Sequence, residues 1–404
     1  MKRQEMLALA AEKAVRAREI REDIHAHPEL SGKEVRTGGI VRRERERLGI
    51  ETRTWEGYTG VVGILRGAYD GPVIALRADM DALPILEKRT ELPFCSTNPG
   101  VMHACGHDMH TSIQLGAAAA LKDLAGRLHG TVKFIFQPAE EATDLGAKHF
   151  VSLGVLEDPH VDRIFAIHVD TDRETGMLGT KKGNTNSASD SLTVTVHGKS
   201  SHGTRPQFGV DAIYTACQMI LSVYGFVGRR LHALQAVSVN VGKIEAGTAN
   251  NIIADTCRFA ISLRTIDRQM RTFMHAELKD LLECIARENH AEVTIEDRYG
   301  CSSQFNDSDC VDTIEAAARF LYGDGRFTVN PEPSMGSEDF SAYGETGIPS
   351  AMWELGVRNT EKGWTAPLHN DMFCADEAAL PVGIAMQAAI VYSLIGEGGI
   401  EAGR

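Results

Sequence analysis

Two kinds of strand occupy different parts of the chain, and they call for different surroundings. The runs VIALRAD (73–79), VKFIF (132–136) and RIFAI (163–167) are nearly continuous apolar segments, separated by helical patterns such as the alanine-rich stretch from Thr111 to Leu124. Strands of this kind are covered on both faces, as in a mostly parallel sheet flanked by helices. From about Ser187 the pattern becomes strict alternation. SLTVTVHG points Leu192, Val194 and Val196 to one side, and AVSVNVG does the same with Val237, Val239 and Val241. CRFAISLR sets Cys257, Phe259, Ile261 and Leu263 against Arg258, Ser262 and Arg264. Such strands have one covered face and one wet or functional face. With helices predicted from about Asp211 to Val227 and from about Arg268 to Asn289, this middle region reads as a small α+β domain. Beyond about Tyr299 the apolar helix-and-strand character returns. One domain is therefore inserted into another: residues 1–186 and 300–404 make the first, and residues 187–299 the insert.

The chain's 404 residues suffice for two or three domains. A formal net charge of −13, with no basic run to offset it, argues against a nucleic-acid or anionic-membrane partner, because phosphates would repel most of the surface. Cysteines at 95, 105, 217, 257, 284, 301, 310 and 374 show neither a disulfide framework nor a C-x-x-C pair. A reducing cytoplasm is the compartment this predicts. Charges interrupt every apolar run of the N-terminal MKRQEMLALAAEKAVRAREIREDIHAHPEL, which reads as an amphipathic helix and not as a signal peptide. No stretch of roughly 18 uninterrupted apolar residues offers a membrane span. The expectation is a soluble protein.

Three of the buried strands run into residues able to bind metal. VIALRAD ends in Asp79 and is followed by Asp81, VKFIF leads into Gln137-Pro138-Ala139-Glu140-Glu141, and RIFAI ends at His168. In an open α/β sheet, ligands gather at the carboxyl ends of strands, so three ends point to one place. Taken singly, adjacent glutamates read as a solvated charge pair, and a histidine after a strand as a satisfied boundary residue. The segment MHACGHDMH (102–110) is different, because His103, Cys105, His107 and His110 bracket a glycine in a way that packing does not explain. A Cys105–His107 nucleophile pair is the competing chemistry. It needs the imidazole to reach the sulfur and to be oriented by a third group, an arrangement rare for residues so close in sequence. A structural zinc site takes four closed ligands, usually with several cysteines, whereas this mixture of Cys, His and Glu suits an open catalytic site.

REDIHAHPELSGKE, LRADMDALPI, MHACGHDMH, FQPAEE, AIHV, GTANNII, GSEDF and LHNDMF occur here in the order found in metal-dependent amidohydrolases. The chain resembles the hippurate hydrolases, the amidohydrolases of indole-acetic-acid amino-acid conjugates and, more distantly, the aminoacylases and carboxypeptidase G. The resemblance runs from about residue 20 to 395. It implies a zinc-peptidase-like α/β catalytic domain, with a central mostly parallel sheet flanked by helices, and an inserted α+β lid and dimerisation domain. It implies two divalent metal ions per subunit, from among zinc, manganese, cobalt and nickel, held by Cys105, His107, Glu141, His168 and His369, with the Cys105 sulfur bridging. Glu140 matches the general base and Asp81 the carboxylate behind a ligand histidine; His103 and His110 are then structural or support the ligands from behind. His202 matches a lid histidine that in related dimers reaches the neighbouring subunit's site. Asn251 and Arg264 match positions that bind the substrate carboxylate, Arg258 on the same face being read as solvated. Gly336 and Ser337 match the pocket lining.

The implied reaction is hydrolysis of the amide of an N-acyl or N-aroyl amino acid, a small-molecule substrate, by a homodimer or dimer-based homo-oligomer. Its rivals are a dipeptidase or aminopeptidase of the same fold, and a catalytically silent small-molecule-binding relative, against which the retained Glu140 counts. EEATDLGA stands where relatives carry a glycine run, Ser200-Ser201 where Gly-Gly is common, and Ala254 where proline is frequent. These departures leave every metal ligand intact and bear on substrate alone.

Overall fold

The computed structural model describes residues 1–142 and 145–400, so Thr143 and Asp144 of the EEATDLGA loop lie outside the described residues. The chain forms two compact units. The first comprises Met1–Gly183, Phe305–Pro331 and Ala342–Arg404, and the second Asn184–Gln304 with Glu332–Ser341. The segment Glu332–Ser341, expected with the 300–404 part, clusters with the insert because its backbone is tied there: the Ser187 N–H donates to the Gly336 carbonyl at 2.9 Å and the Ser334 N–H to the Thr185 carbonyl at 2.7 Å.

The first unit is built on an eight-stranded sheet. Its order is Glu51–Trp55, Tyr58–Arg66, His129–Gln137, Tyr69–Asp79, Arg163–Glu174, Ser350–Arg358, Leu178–Thr180 and Phe327–Val329. The four middle strands, His129–Gln137 through Ser350–Arg358, are mutually parallel, and antiparallel pairings flank them on both sides. The apolar runs are buried on both faces as expected, Val73–Asp79 being buried throughout. Helices Arg3–Ala26, His107–Asp123, Ser308–Tyr322 and Leu380–Ile395 share one apolar core with this sheet. The stretch Glu377–Ile395 is long and apolar enough to match a membrane span, yet 78% of it is buried inside the protein.

Register decides where the sheet opens. The ladder between Tyr69–Asp79 and His129–Gln137 closes on the pair Asp79↔Gln137, and that between Tyr69–Asp79 and Arg163–Glu174 closes on Arg77↔Ala166. One detail corrects the sequence reading: His168 does not end its strand. Pairing with Ser350–Arg358 carries that strand on to Glu174, and His168 is freed on its other side because pairing with Tyr69–Asp79 ends at Ala166, opposite Arg77.

The second unit is a four-stranded antiparallel sheet in the order Val237–Ala246, Thr256–Thr265, Ala188–His197 and Glu292–Tyr299. Helices Ala212–Arg230 and Arg268–Glu288 share its apolar core, in which Leu192, Val194, Val196, Cys257, Phe259, Ile261 and Leu263 are buried. Both helices start on an aspartate N-cap: Asp211 accepts from the Ile213 and Tyr214 N–H groups, and Asp267 from that of Met270. The base of this unit is clamped by buried Asp190. Its carboxylate receives two guanidinium nitrogens of Arg271 at 2.8 and 2.6 Å, His275 Nε2 at 2.9 Å and the Gly300 N–H at 3.0 Å.

Burial alone would push the Asp190 carboxyl up, but the bonds from Arg271 and His275 outweigh it and hold it at about 2, below the usual 3.8. A depressed carboxyl stabilises the folded state fully above its unfolded value and loses that contribution as pH falls through its folded value. Asp190 should therefore stabilise this protein fully above about pH 4 and progressively less towards pH 2. Asp190→Asn should flatten urea stability over that window, and an unchanged acid slope would show that the clamp is not coupled to folding.

Candidate metal centre

Gly106 turns the chain into helix His107–Asp123 with φ +80°, and a Cβ there would stand 2.4 Å from Val169 Cγ2. Only glycine takes this left-handed, closely packed position without strain, and it delivers Cys105 and His107 to one point. Two other residues beside the site are left-handed without being glycine, Ala139 at φ +56° and His369 at φ +60°. Non-glycine residues persist in that region only where the surroundings over-determine them. For His369 one such tether is its N–H, which donates to the Ala104 carbonyl at 2.8 Å.

These turns gather two triads of donor atoms, each within 4.8 Å of one another: Cys105, His107 and His168 form one, and Cys105, Glu141 and His369 the other. His369 Nε2 lies 3.3 Å from Cys105 Sγ and 3.1 Å from Glu141 Oε1, and His168 Nε2 lies 3.7 Å from the same sulfur. Glu140 joins Glu141 and His107 in a third grouping of the same size. The structure thus brings together all five residues expected as ligands, with Glu140 beside them and the sulfur common to both triads.

Asp81 organises this cluster from behind. Its Oδ1 is 3.1 Å from His107 Nδ1 and accepts the Glu140 N–H at 3.1 Å, while its Oδ2 accepts the Glu141 N–H at 3.0 Å and the Ser31 hydroxyl at 2.6 Å. With its Nδ1 proton given to Asp81, His107 keeps a lone pair on Nε2, an atom that is buried and has no hydrogen-bond partner among the described residues. A buried imidazole nitrogen without a partner, set among sulfur, imidazole and carboxylate donors, fits a divalent cation. Burial opposes a charged Cys105, but the charge of neighbouring His107, with His168 and His369 at the sulfur, draws the thiol down to about 6. Bonds to Cys105 and Glu141 raise His369 to about 10. Thiolate is the form that ligates metal.

The remaining histidines of MHACGHDMH stand outside the two triads that share Cys105. His110 sits beside Asp79 and His107, but both its nitrogens are engaged: Nδ1 faces Asp79 Oδ1 at 2.6 Å and Nε2 accepts the Val169 N–H at 2.8 Å. His103 is buried, its ring centroid 6.2 Å from that of His25, and burial pushes it down to about 4. Sequence reasoning gave no individual role to Ser31 or Glu34, although both lie in the quoted HPELSGKE. Nothing periodic marks them, because their partners are residues 81 and 139.

The other expected residues lie in the second unit. His202 is exposed and pairs with Ile252 in a two-stranded ribbon. Its Nδ1 accepts the Thr204 N–H at 3.2 Å, which leaves the proton on Nε2 as a free donor. Asn251 is exposed next to it, its carbonyl taking the Gly203 N–H at 2.9 Å. Arg264 is half-buried with Nη1 buried and unpartnered among the described residues, whereas Arg258 is exposed, 3.9 Å from Glu296. Gly336 and Ser337 are exposed.

Fold and site define a metal-dependent amide hydrolase. The chain belongs to peptidase family M20/M25/M40, whose profile matches residues 75–393. It is 38% identical over 376 residues to N-acetylcysteine deacetylase of Bacillus subtilis (strain 168), spanning 92% of this chain and 95% of that protein. It is 35% identical over 377 residues to thermostable carboxypeptidase 1 of Saccharolobus solfataricus, spanning 92% and 93% respectively. A solved dinuclear metal binding peptidase of the M20 family from Bacillus subtilis superposes with a TM-score of 0.82 at 34% identity, covering 94% of this chain and 98% of that one. The fold class, family and enzyme class expected from the sequence stand.

Because Asp81 fixes the His107 tautomer, Asp81→Asn should weaken binding of divalent metal by roughly 10- to 100-fold. Competition against a chromogenic chelator measures this, and native affinity in the variant would remove Asp81 from the centre.

Proposed function

We propose that the protein hydrolyses the amide bond of N-acyl or N-aroyl amino acids, releasing a carboxylate and the free amino acid. The observation that carries this reading is the pair of donor triads sharing Cys105, with Glu140 held beside them on the Asp81 carboxylate. In it Cys105, His107, Glu141, His168 and His369 bind two divalent cations, zinc, manganese, cobalt and nickel all suiting so mixed a set. Bound there, such cations would supply a Lewis acid for the amide carbonyl and would acidify water. Consecutive side chains diverge, so Glu141 serves as ligand while Glu140 accepts the water proton and delivers it to the leaving nitrogen.

The substrate's carboxylate is assigned to Arg264 and Asn251. Nη1 of Arg264 is a buried donor awaiting an acceptor, and a guanidinium matches a carboxylate through two parallel bonds. His202, its Nδ1 already occupied, offers Nε2–H to the developing oxyanion. Gly336 and Ser337 are assigned to the pocket lining. A curated relative named for deacetylating N-acetylcysteine supports an acylated amino acid as substrate, and one named a carboxypeptidase keeps a peptide as the second reading.

The second unit is also proposed as the lid and dimerisation surface. Tyr214, Leu221 and Tyr224 are exposed along one stripe of helix Ala212–Arg230, and Ile244 is exposed on strand Val237–Ala246. Eight free cysteines support a reducing compartment, the cytoplasm.

Glu140→Gln should bind metal as the wild type does while losing roughly 100- to 10,000-fold in turnover; near-normal rates would remove Glu140 as the base. Metal-supplemented assays should show release of amino acid from acetyl-, benzoyl- or indoleacetyl-amino acids in preference to cleavage of unblocked dipeptides. The opposite preference would favour the peptidase reading, and no release from any of them a silent binding protein. Leu221→Glu should shift a dimer to monomer in analytical ultracentrifugation, whereas a wild type that is already monomeric would end the dimer proposal.

A further inference from the structure

The HPELSGKE segment is left without a catalytic role by the reading above, yet it holds a fully buried carboxylate, Glu34. Glu34 occupies the N-cap position of helix Val35–Arg47, and its side chain makes no capping bond there. That duty has passed to Glu29, whose two oxygens accept the Arg36 and Thr37 N–H groups at 2.9 and 2.8 Å. Released from the helix, Glu34 Oε1 accepts the Ala139 N–H at 2.9 Å and the Gly32 N–H at 2.8 Å, and Oε2 accepts the Thr59 hydroxyl at 2.7 Å.

The Ala139 bond is the informative one. Ala139 is buried, follows Pro138 and is held at φ +56°, a conformation that costs a residue with a Cβ about 1–3 kcal/mol. The next two N–H groups, of Glu140 and Glu141, both bind Asp81. Three consecutive amides are thus caught by two buried carboxylates, Glu34 taking the first and Asp81 the other two. A left-handed residue followed by converging N–H groups makes an anion-binding nest, and here the anions are the protein's own.

We propose that Glu34 is a positioning residue that fixes the left-handed turn at Ala139 and thereby aims Glu140 and Glu141. This rests on the roles proposed above for those two glutamates. Glu34 acts by reach: its carboxylate must extend far enough to hold the Ala139 N–H, and its charge is secondary. Glu34→Gln keeps the length and an acceptor oxygen for both amides, and its amide nitrogen can donate to the Thr59 oxygen. Glu34→Asp keeps the charge but withdraws the acceptor by one methylene.

The test compares kcat and KM of the metal-loaded wild type, Glu34→Gln and Glu34→Asp, alongside amide hydrogen exchange at residues 139–141 in metal-free protein. Glu34→Asp should lose roughly 100-fold in kcat with little change in KM, as expected when reacting groups shift by about 1 Å. Its Ala139–Glu141 amides should exchange faster than in the wild type while the core strands stay protected. Glu34→Gln should remain within about tenfold of the wild-type kcat on the same scale. The reverse order, with Asp active and Gln inactive, would show that charge and not reach is what matters, and would overturn the proposal. So would activity losses that merely follow uniform loss of exchange protection, or wild-type kcat in both variants. Glu140→Gln run in parallel separates the two ideas: if it keeps turnover, the base assignment fails, whereas exchange at 139–141 reports on Glu34 either way.

Discussion

The buried carboxylate of Asp81 is the constraint on which the metal centre rests. Burial raises the free energy of its charge, and the His107 ring, the Ser31 hydroxyl and the Glu141 N–H together more than offset that penalty, holding the group below the usual carboxylate range. Four donors use it at once: the His107 ring, the Ser31 hydroxyl and the backbone N–H groups of Glu140 and Glu141. One side chain therefore sets the tautomer of a metal-competent imidazole and the path of the chain through both glutamates. A buried carboxylate with all its lone pairs engaged is rigid, because moving it would strand several donors together.

Around that point the sheet supplies position and the loops supply strain. The ladders close on Asp79↔Gln137 and Arg77↔Ala166, so the residues that follow leave the sheet, or lose a neighbour, at the same level. His110 continues the connection past the last rung, with Asp79 on one ring nitrogen and the Val169 N–H on the other. Next to His107, Asp108 pairs its charge with buried Arg21, whose Nε lies 2.8 Å away, and bonds His25 Nδ1 at 2.8 Å, tying the first turn of the helix to Arg3–Ala26. With Ala139 and His369 both held left-handed, the centre is over-determined by its surroundings. Such pre-organisation places several donors around two cations without reorganisation when they bind.

The second unit follows a different logic. Its apolar residues face one way by simple alternation, and what it offers to chemistry is exposed or half-buried: an imidazole with one nitrogen already engaged, and a guanidinium with a buried unpartnered nitrogen. Arg258 and Arg264 lie on the same strand face, and alternation alone does not rank them. Burial separates them, since Arg258 is exposed while Arg264 is half-buried with Nη1 shielded from water.

By itself the sequence determined the two strand classes and set metal-competent side chains after three buried strands, because apolar periodicity and donor chemistry are local properties; the particular ligand set was implied by the family resemblance. Tertiary structure alone decided which nitrogen of each histidine is available, that His110 is spent on Asp79 and Val169, and that His168 is uncovered in mid-strand. It also decided that residues 332–341 join the insert and that Glu34 reaches Ala139. These depend on partners tens to hundreds of residues away, and a hydrogen bond to a single backbone N–H leaves no period in the sequence from which it could be read.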